Sequence, residues 1–253
     1  MSGHSKWSTI KRKKAKTDQE RGKIFGRLIR EITVAARHGG GDVDANARLR
    51  TAVQAAKAAN MPVSNIERAI AKGSGADGGQ AIEEMTYEGY GPAGVAILVD
   101  VMTDNKNRTA AEIRHLFSKG GGRLGESGCV AWKFELRGSI LVDRSATDEE
   151  TLLELGIEAG ATDVSTEQPD VFEVITEPTT LHQVSKALEA RSIAHHDVQL
   201  TRVATSTVDI EEESTAGKVL KLMDALEDHD DVQAVWSDFD ISDELVTKLS
   251  APA

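Results

Sequence analysis

Residues 139–203 read S-I-L-V-D-R-S-A-T-D-E-E-T-L-L-E-L-G-I-E-A-G-A-T-D-V-S-T-E-Q-P-D-V-F-E-V-I-T-E-P-T-T-L-H-Q-V-S-K-A-L-E-A-R-S-I-A-H-H-D-V-Q-L-T-R-V. Short apolar runs predict strands at 139–142, 162–166, 171–176 and 195–203. Amphipathic stretches at 148–159 and 179–190 predict helices between them. That is βαββαβ, the ferredoxin-like order, complete within one segment. The downstream flank is too small to fold alone, and the upstream flank lacks partners of the kind it offers. Upstream, Met85–Tyr90 and Val95–Met102 alternate with period two around the turn Gly91-Pro92. Thr109 to Lys119 is helical, opening on the capping-box pair Thr109 and Glu112, and Val130–Leu136 is a further strand. Downstream, a strand at 205–210, a helix at 214–228 and a strand at 232–238 supply what the upstream piece lacks. The expected middle α/β domain is therefore 80–136 plus 205–240, with residues 137–204 inserted into it.

Further outward, the N-terminal side is helical. Thr17 and Glu20 form a capping box opening a helix that runs to about His38 and exits at Gly39-Gly40-Gly41. Around it, Ile24, Phe25, Leu28, Ile29, Ile32, Ala35 and Ala36 share one side. Lys23, Arg27, Arg30 and Arg37 share the other. A second helix is expected from Ala45 to Ala59, capped by Asp44, with Leu49, Ala52, Val53 and Ala56 facing inward. A third begins at the capping box Ser64/Glu67 and ends at Gly73. The stretch Gly73–Gln80 reads as a linker. The chain is thus expected to be α+β: a basic three-helix domain over 1–79, then two ferredoxin-like α/β domains, the last inserted into the middle one.

At 253 residues, the chain is long enough for two or three domains. Hydrophobic residues at 40% and charged ones at 28% exclude wholesale disorder. Cys129 is the single cysteine. It excludes an intramolecular disulfide and a multi-cysteine zinc site, and it fits a reducing compartment. No apolar run approaches the ~18 residues of a membrane span, and no apolar stretch follows the basic N-terminus as in a secretory signal. The expectation is a soluble, cytoplasmic protein.

The net charge of −11 conceals a partition. Residues 1–75 hold 16 Lys and Arg against 6 Asp and Glu, whereas residues 76–253 hold 14 against 35. A polyanion-binding end joined to an anion-repelling end is the implied design. Residues 2–16 carry Lys6, Lys11, Arg12, Lys13, Lys14 and Lys16 with no acid, and Trp7 offers a flat surface on which a base could stack. With Lys23, Arg27, Arg30 and Arg37, these are the expected nucleic-acid contacts. Arg48, Arg50, Lys57, Arg68 and Lys72 reinforce them. The bland reading of the tail is a solubilising segment. Zipper heptads and zinc-finger ligands are missing, so base-specific readout has no visible carrier.

Catalytic signatures are weak. The G-x-G-x-x-G matches at Gly73/Gly75/Gly78 and Gly120/Gly122/Gly125 follow helices instead of linking a strand to a helix, so they do not fit a dinucleotide site. Turn geometry is the expected purpose of the second, with phosphate contact near Arg123 as the alternative. Cys129 stands where a G-x-S-x-G elbow needs its last glycine. In His195-His196-Asp197, adjacent strand residues point to opposite faces, which places at least one histidine at the surface. Glu211-Glu212-Glu213 complements a helix dipole, while Asp228-His229-Asp230-Asp231 opposes one and reads as a solvated turn or a partner surface. Val219, Leu222 and Leu226 are expected in the core. An enzyme using Asp230 or Asp231 as metal ligands is the rival class, but the ligand spacing is missing. No catalytic residue, metal or cofactor is expected.

Several blocks resemble the YebC/PmpR family: G-H-S-K-W at 3–7, R-G-K-I-F at 21–25, L-I-R-E-I-T-V-A-A-R at 28–37, A-A-N-M-P at 58–62 and N-I-E-R-A-I at 65–70. Y-E-G-Y-G-P at 87–92, T-D-N-K-N-R-T at 103–109, L-G-E-S-G at 124–128 and L-E-D-H-D-D-V at 226–232 extend the resemblance along the chain. It implies an N-terminal helical domain with two α/β domains, in a cytoplasmic bacterial protein or a mitochondrial relative. Members are described as DNA-binding transcriptional regulators, others as translation factors acting at the ribosome, including on proline-rich stalls. No catalytic residues are assigned to the family. The expected partner is accordingly DNA or RNA, the ribosome included, and not a membrane.

Overall fold

The computed structural model describes residues 18–75, 82–166, 168 and 170–250. Three helices, α1 (Asp18–Gly39), α2 (Ala47–Ala58) and α3 (Val63–Gly73), precede β1 (Glu83–Tyr90), β2 (Ala96–Thr103), α4 (Lys106–Lys119) and β3 (Arg123–Leu124). Next come β4 (Phe134–Asp143), α5 (Glu149–Ala159), β5 (Ala161–Ser165), β6 (Val171–Thr176), α6 (Leu181–Ala190), β7 (His195–Ala204) and β8 (Val208–Asp209). The chain closes with α7 (Glu213–Glu227), β9 (Val232–Ser237), β10 (Phe239–Asp240) and α8 (Asp243–Ser250). The fold is α+β, a helical region followed by sheet domains, and it gathers into two compact units. One holds Val130–Glu211 and the chain from Trp236, the other Arg12–Cys129 and Glu212–Val235.

In the first unit the sheet order is β5-β6-β4-β7 with antiparallel neighbours, the ferredoxin-like arrangement. Its core joins Ile140, Val142, Phe172 and Val174 of the sheet to Leu152 of α5 and Val184 and Leu188 of α6. Asp148 caps α5 by accepting from the Thr151 amide at 2.9 Å, and Gly160 ends it at φ 104°. Two expected strands, 130–136 and 139–142, are one: β4 runs unbroken from Phe134 through Gly138. A Cβ at Gly138 would run into Thr176 Oγ1, so this glycine is there for packing and does not break the strand. Residues Ala131–Lys133 form a single 3₁₀ turn. The strand expected at 205–210 shrinks to β8, paired in parallel with β10.

In the second unit, α1, α2 and α3 enclose Ile32, Ala35, Ala36, Leu49, Ala52, Val53, Ala56, Ile66 and Ala69. Ile24, expected inside, is 45% exposed. The caps differ from those read in the sequence. Asn46, not Asp44, caps α2, accepting from the Leu49 amide at 3.1 Å while its own amide donates to Ala35 and Gly40 carbonyls. Ser64 lies inside α3, which starts at Val63 after Pro62. The expected capping box at Thr17 lies outside the described residues, as does the linker from 76. The sheet runs β3-β1-β2-β9, so the strand after the insertion joins strands laid down before it. Ile113 and Phe117 of α4 and Val219, Leu222 and Leu226 of α7 are fully or almost fully buried.

Candidate nucleic-acid interface

The basic stripe of α1 meets the chain's own 227–232 segment. Lys23 Nζ lies 2.9 Å from Asp228 Oδ1. Arg27 donates to the Val232 carbonyl at the start of β9 at 3.0 Å and to the Glu227 carbonyl at the end of α7. Burial pulls the Arg27 pKa below its ordinary value, although Glu227 and Asp228 oppose the change. Arg30 reaches Asp231 Oδ1 at 3.4 Å. Arg37, the fourth member of the stripe, is exposed at the end of α1. Three of the four cations that the sequence assigned to an external polyanion are thus engaged internally, Lys23 and Arg30 by carboxylates and Arg27 by backbone carbonyls. Lys6, Trp7, Lys11, Arg12, Lys13, Lys14 and Lys16 lie outside the described residues.

Asp231 is the centre of this arrangement and is 4% exposed. Its Oδ2 accepts from Arg108 Nη2 and from the Thr109 hydroxyl, each at 2.8 Å, and that hydroxyl lies 2.8 Å from Thr103 Oγ1. Burial disfavours the carboxylate. The hydrogen bonds from Arg108 and Thr109, with the charge of Arg108, outweigh it and hold the Asp231 pKa below its ordinary value. Asp231 raises Arg108 in turn, mainly through the same hydrogen bond. The Asp231 amide donates to His229 Nδ1 at 3.1 Å, leaving Nε2 as the donor to Glu112 at 2.9 Å. Glu112, His229 and Asp231 could converge on a cation. Their lone pairs, however, already face Arg108, Thr109, Arg30 and a backbone amide. Thr109, expected as a cap, is buried here, and Asn105 caps α4 instead, accepting from the Arg108 amide at 3.1 Å. A cleft of about 870 Å³ opens beside this network between Arg30, Lys72, Asp104, Arg108 and Asp230.

The remaining cations of the helical region fall into two sets. Arg48 bonds Glu31 at 2.7 Å and Glu84 at 2.8 Å, a pairing that raises its pKa, chiefly through the Glu31 hydrogen bond. Arg50 and Arg68 instead donate to neutral acceptors, Arg50 to the Val43 and Asp44 carbonyls and Arg68 to the Ser64 carbonyl and Asn65. Among the described residues neither forms an ion pair. Lys57 and Lys72 are exposed on α2 and α3. Arg50 and Lys57 stand two turns apart on one flank of α2.

The second glycine loop turns back on itself. Gly125 N–H donates to the Glu88 carbonyl at 2.8 Å, and Gly128 N–H to the buried Glu88 carboxylate at 2.6 Å. The position a bound anion would take is filled by the protein's own carboxylate. A Cβ at Gly122 would strike the Tyr90 carbonyl, and Gly121 and Gly128 hold φ of +78° and +85°. His195 donates from Nδ1 to the Ile193 carbonyl and lies 2.9 Å from Ser185, while His196 is exposed.

This is the build of a three-part α+β protein: a helical region, a split sheet closed by a returning helix and strand, and an inserted ferredoxin-like domain. The chain belongs to the TACO1/YebC family. Residues 5–76 match the model of the TACO1/YebC protein N-terminal domain, and residues 82–239 that of the TACO1/YebC second and third domain. A probable transcriptional regulatory protein of Persephonella marina is 55% identical over 250 residues, covering 99% of this chain and 100% of that protein. One of the same name from Syntrophobacter fumaroxidans is also 55% identical over 250 residues, with the same coverage. Among solved structures, a conserved hypothetical protein, Aq1575, from Aquifex aeolicus superposes with a TM-score of 0.84 at 50% identity. That match covers 90% of this chain and 94% of the other.

Proposed function

We propose that this chain is a non-enzymatic nucleic-acid-binding regulator, a DNA-binding transcriptional regulatory protein acting in the cytoplasm. The observation that carries it is a set of exposed helical-domain cations that form no ion pair among the described residues: Arg37, Arg50, Lys57, Arg68 and Lys72, which add to the acid-free stretch 2–16 of the sequence. The names of the relatives support the regulatory part. Lys23, Arg27 and Arg30 serve chiefly to dock α1, and the phosphate face shifts towards α2, α3 and the tail. The acidic clusters are assigned no catalysis, because the one convergent set among the described residues, Glu112, His229 and Asp231, is engaged by cations and amides.

Binding of a labelled duplex, followed by anisotropy across a salt series, tests this. The expected logarithmic slope is steep and falls by about two when Arg50→Glu and Lys57→Glu remove two phosphate contacts. A flat salt profile, or an unchanged slope in the double variant, overturns it. The spread of these cations over three helices, with no single reading helix, favours a second reading, a translation factor contacting ribosomal RNA through the same surface. Cosedimentation with ribosomes that is lost on removing residues 1–16 would select the ribosome. A footprint on one promoter at physiological salt would select DNA.

A further inference from the structure

The inserted domain carries an interaction surface of a different kind. Helix α5 buries Leu152, Gly156 and Ala159 against its sheet but leaves Leu153 40% and Ile157 57% exposed, one turn apart on its outer side. Beside this apolar pair runs Glu150, Glu154 and Glu158, spaced four by four, with Glu149 on the other flank; all are exposed. No Lys, Arg or His occurs in the helix. Like charges at this spacing destabilise a helix, and Glu158 in the last turn opposes the dipole. A partner bringing cations and apolar side chains together would relieve the repulsion and cover the pair. Nucleic acid, which meets this surface with like charge, would not.

We infer that the outer face of α5 docks a basic amphipathic protein segment, seating apolar side chains on Leu153 and Ile157 and Lys or Arg side chains on Glu150, Glu154 and Glu158. The surface shares no residue with the cations proposed to hold phosphate, which belong to the other compact unit.

The test uses the full chain and a fluorescein-labelled synthetic helix with leucines at i and i+4 flanked by lysines, read by anisotropy. Leu153→Ser with Ile157→Ser, and separately Glu150→Gln, Glu154→Gln and Glu158→Gln together, should each weaken binding by about tenfold or more. The peptide with its leucines replaced by serine should bind the unaltered chain about tenfold less well. Circular dichroism and duplex binding should stay unchanged in both variants, separating loss of this face from loss of fold or of the phosphate surface. Equal binding by all forms, or equal binding of the leucine-free peptide, overturns the inference. So does a concentration-dependent mass increase abolished by Ile157→Ser, which would make a second copy the occupant.

Discussion

Asp231 shows how one side chain can hold together parts of the chain far apart in sequence. Removing it leaves Arg108, Thr109 and Thr103 without the acceptor around which they are arranged. Asp231→Ala should therefore lower stability by about 2–3 kcal/mol, seen as a drop in the thermal midpoint. The pH dependence follows from the lowered pKa. A carboxyl that ionises more readily folded than unfolded adds stability above its ordinary value of 3.8, and that gain is lost as pH falls below it. Asp231→Asn should flatten the acid limb of the stability profile; an identical limb in both proteins would assign the acid loss to other groups. The block T-D-N-K-N-R-T at 103–109 and the acidic run at 228–231 were both visible in the sequence. Their meeting was not, because a pair 123 residues apart leaves no periodic trace. The acidic run was legible only as negative charge, so it read as a solvated turn or a partner surface.

For helix α1, periodicity gave the two faces, Ile24 excepted, but not their partners. Amphipathic spacing reports which side is polar, and a polar side looks the same whether it meets water, phosphate or a neighbouring carboxylate. Arg27 and Arg37 share that side, yet they should behave oppositely. Arg27→Ala strips two carbonyl contacts and should cost about 1–2 kcal/mol, measured in urea. Arg37→Glu should leave stability within about 0.5 kcal/mol and weaken duplex binding instead. The crossing of α1 with α3 is equally specific. A Cβ at Gly73 would collide with the Thr33 carbonyl, backbone that cannot swing aside. Gly73→Ala, favourable by helix propensity alone, should thus be destabilising by about 1–3 kcal/mol in the same titration. The missed caps share a cause: several Asp, Asn, Ser and Thr residues stand near each helix start. For α2 and α4 packing decides which one caps, as when Asn46 also ties down the end of α1, whereas α3 opens after Pro62 with no side-chain cap.

Across the whole molecule, the uneven placement of charge survives inspection in altered form. Part of the N-terminal excess is consumed by the 227–232 segment, and among the described residues what remains lies at the end of α1 and on α2 and α3. Reversing Lys11, Arg12, Lys13 and Lys14 to Glu should abolish duplex binding at physiological salt while leaving the thermal midpoint in place; a scaffold with an incidental tail would be indifferent to the change. The inserted βαββαβ order was readable because all its strands lie in one stretch of chain with clear alternation. The short β3, β8 and β10 were not, since two residues cannot establish a period. The split sheet also has a consequence during biosynthesis. Glu212–Val235 completes a unit whose other part ends at Cys129, so more than eighty intervening residues must be translated first. At about 5–20 residues per second, the nascent chain spends several seconds with the β2 edge uncapped and Lys23, Arg27, Arg30 and Arg108 lacking their eventual partners. In that interval those cations are exposed while the emerging chain is still attached to a polyanion, the translating ribosome.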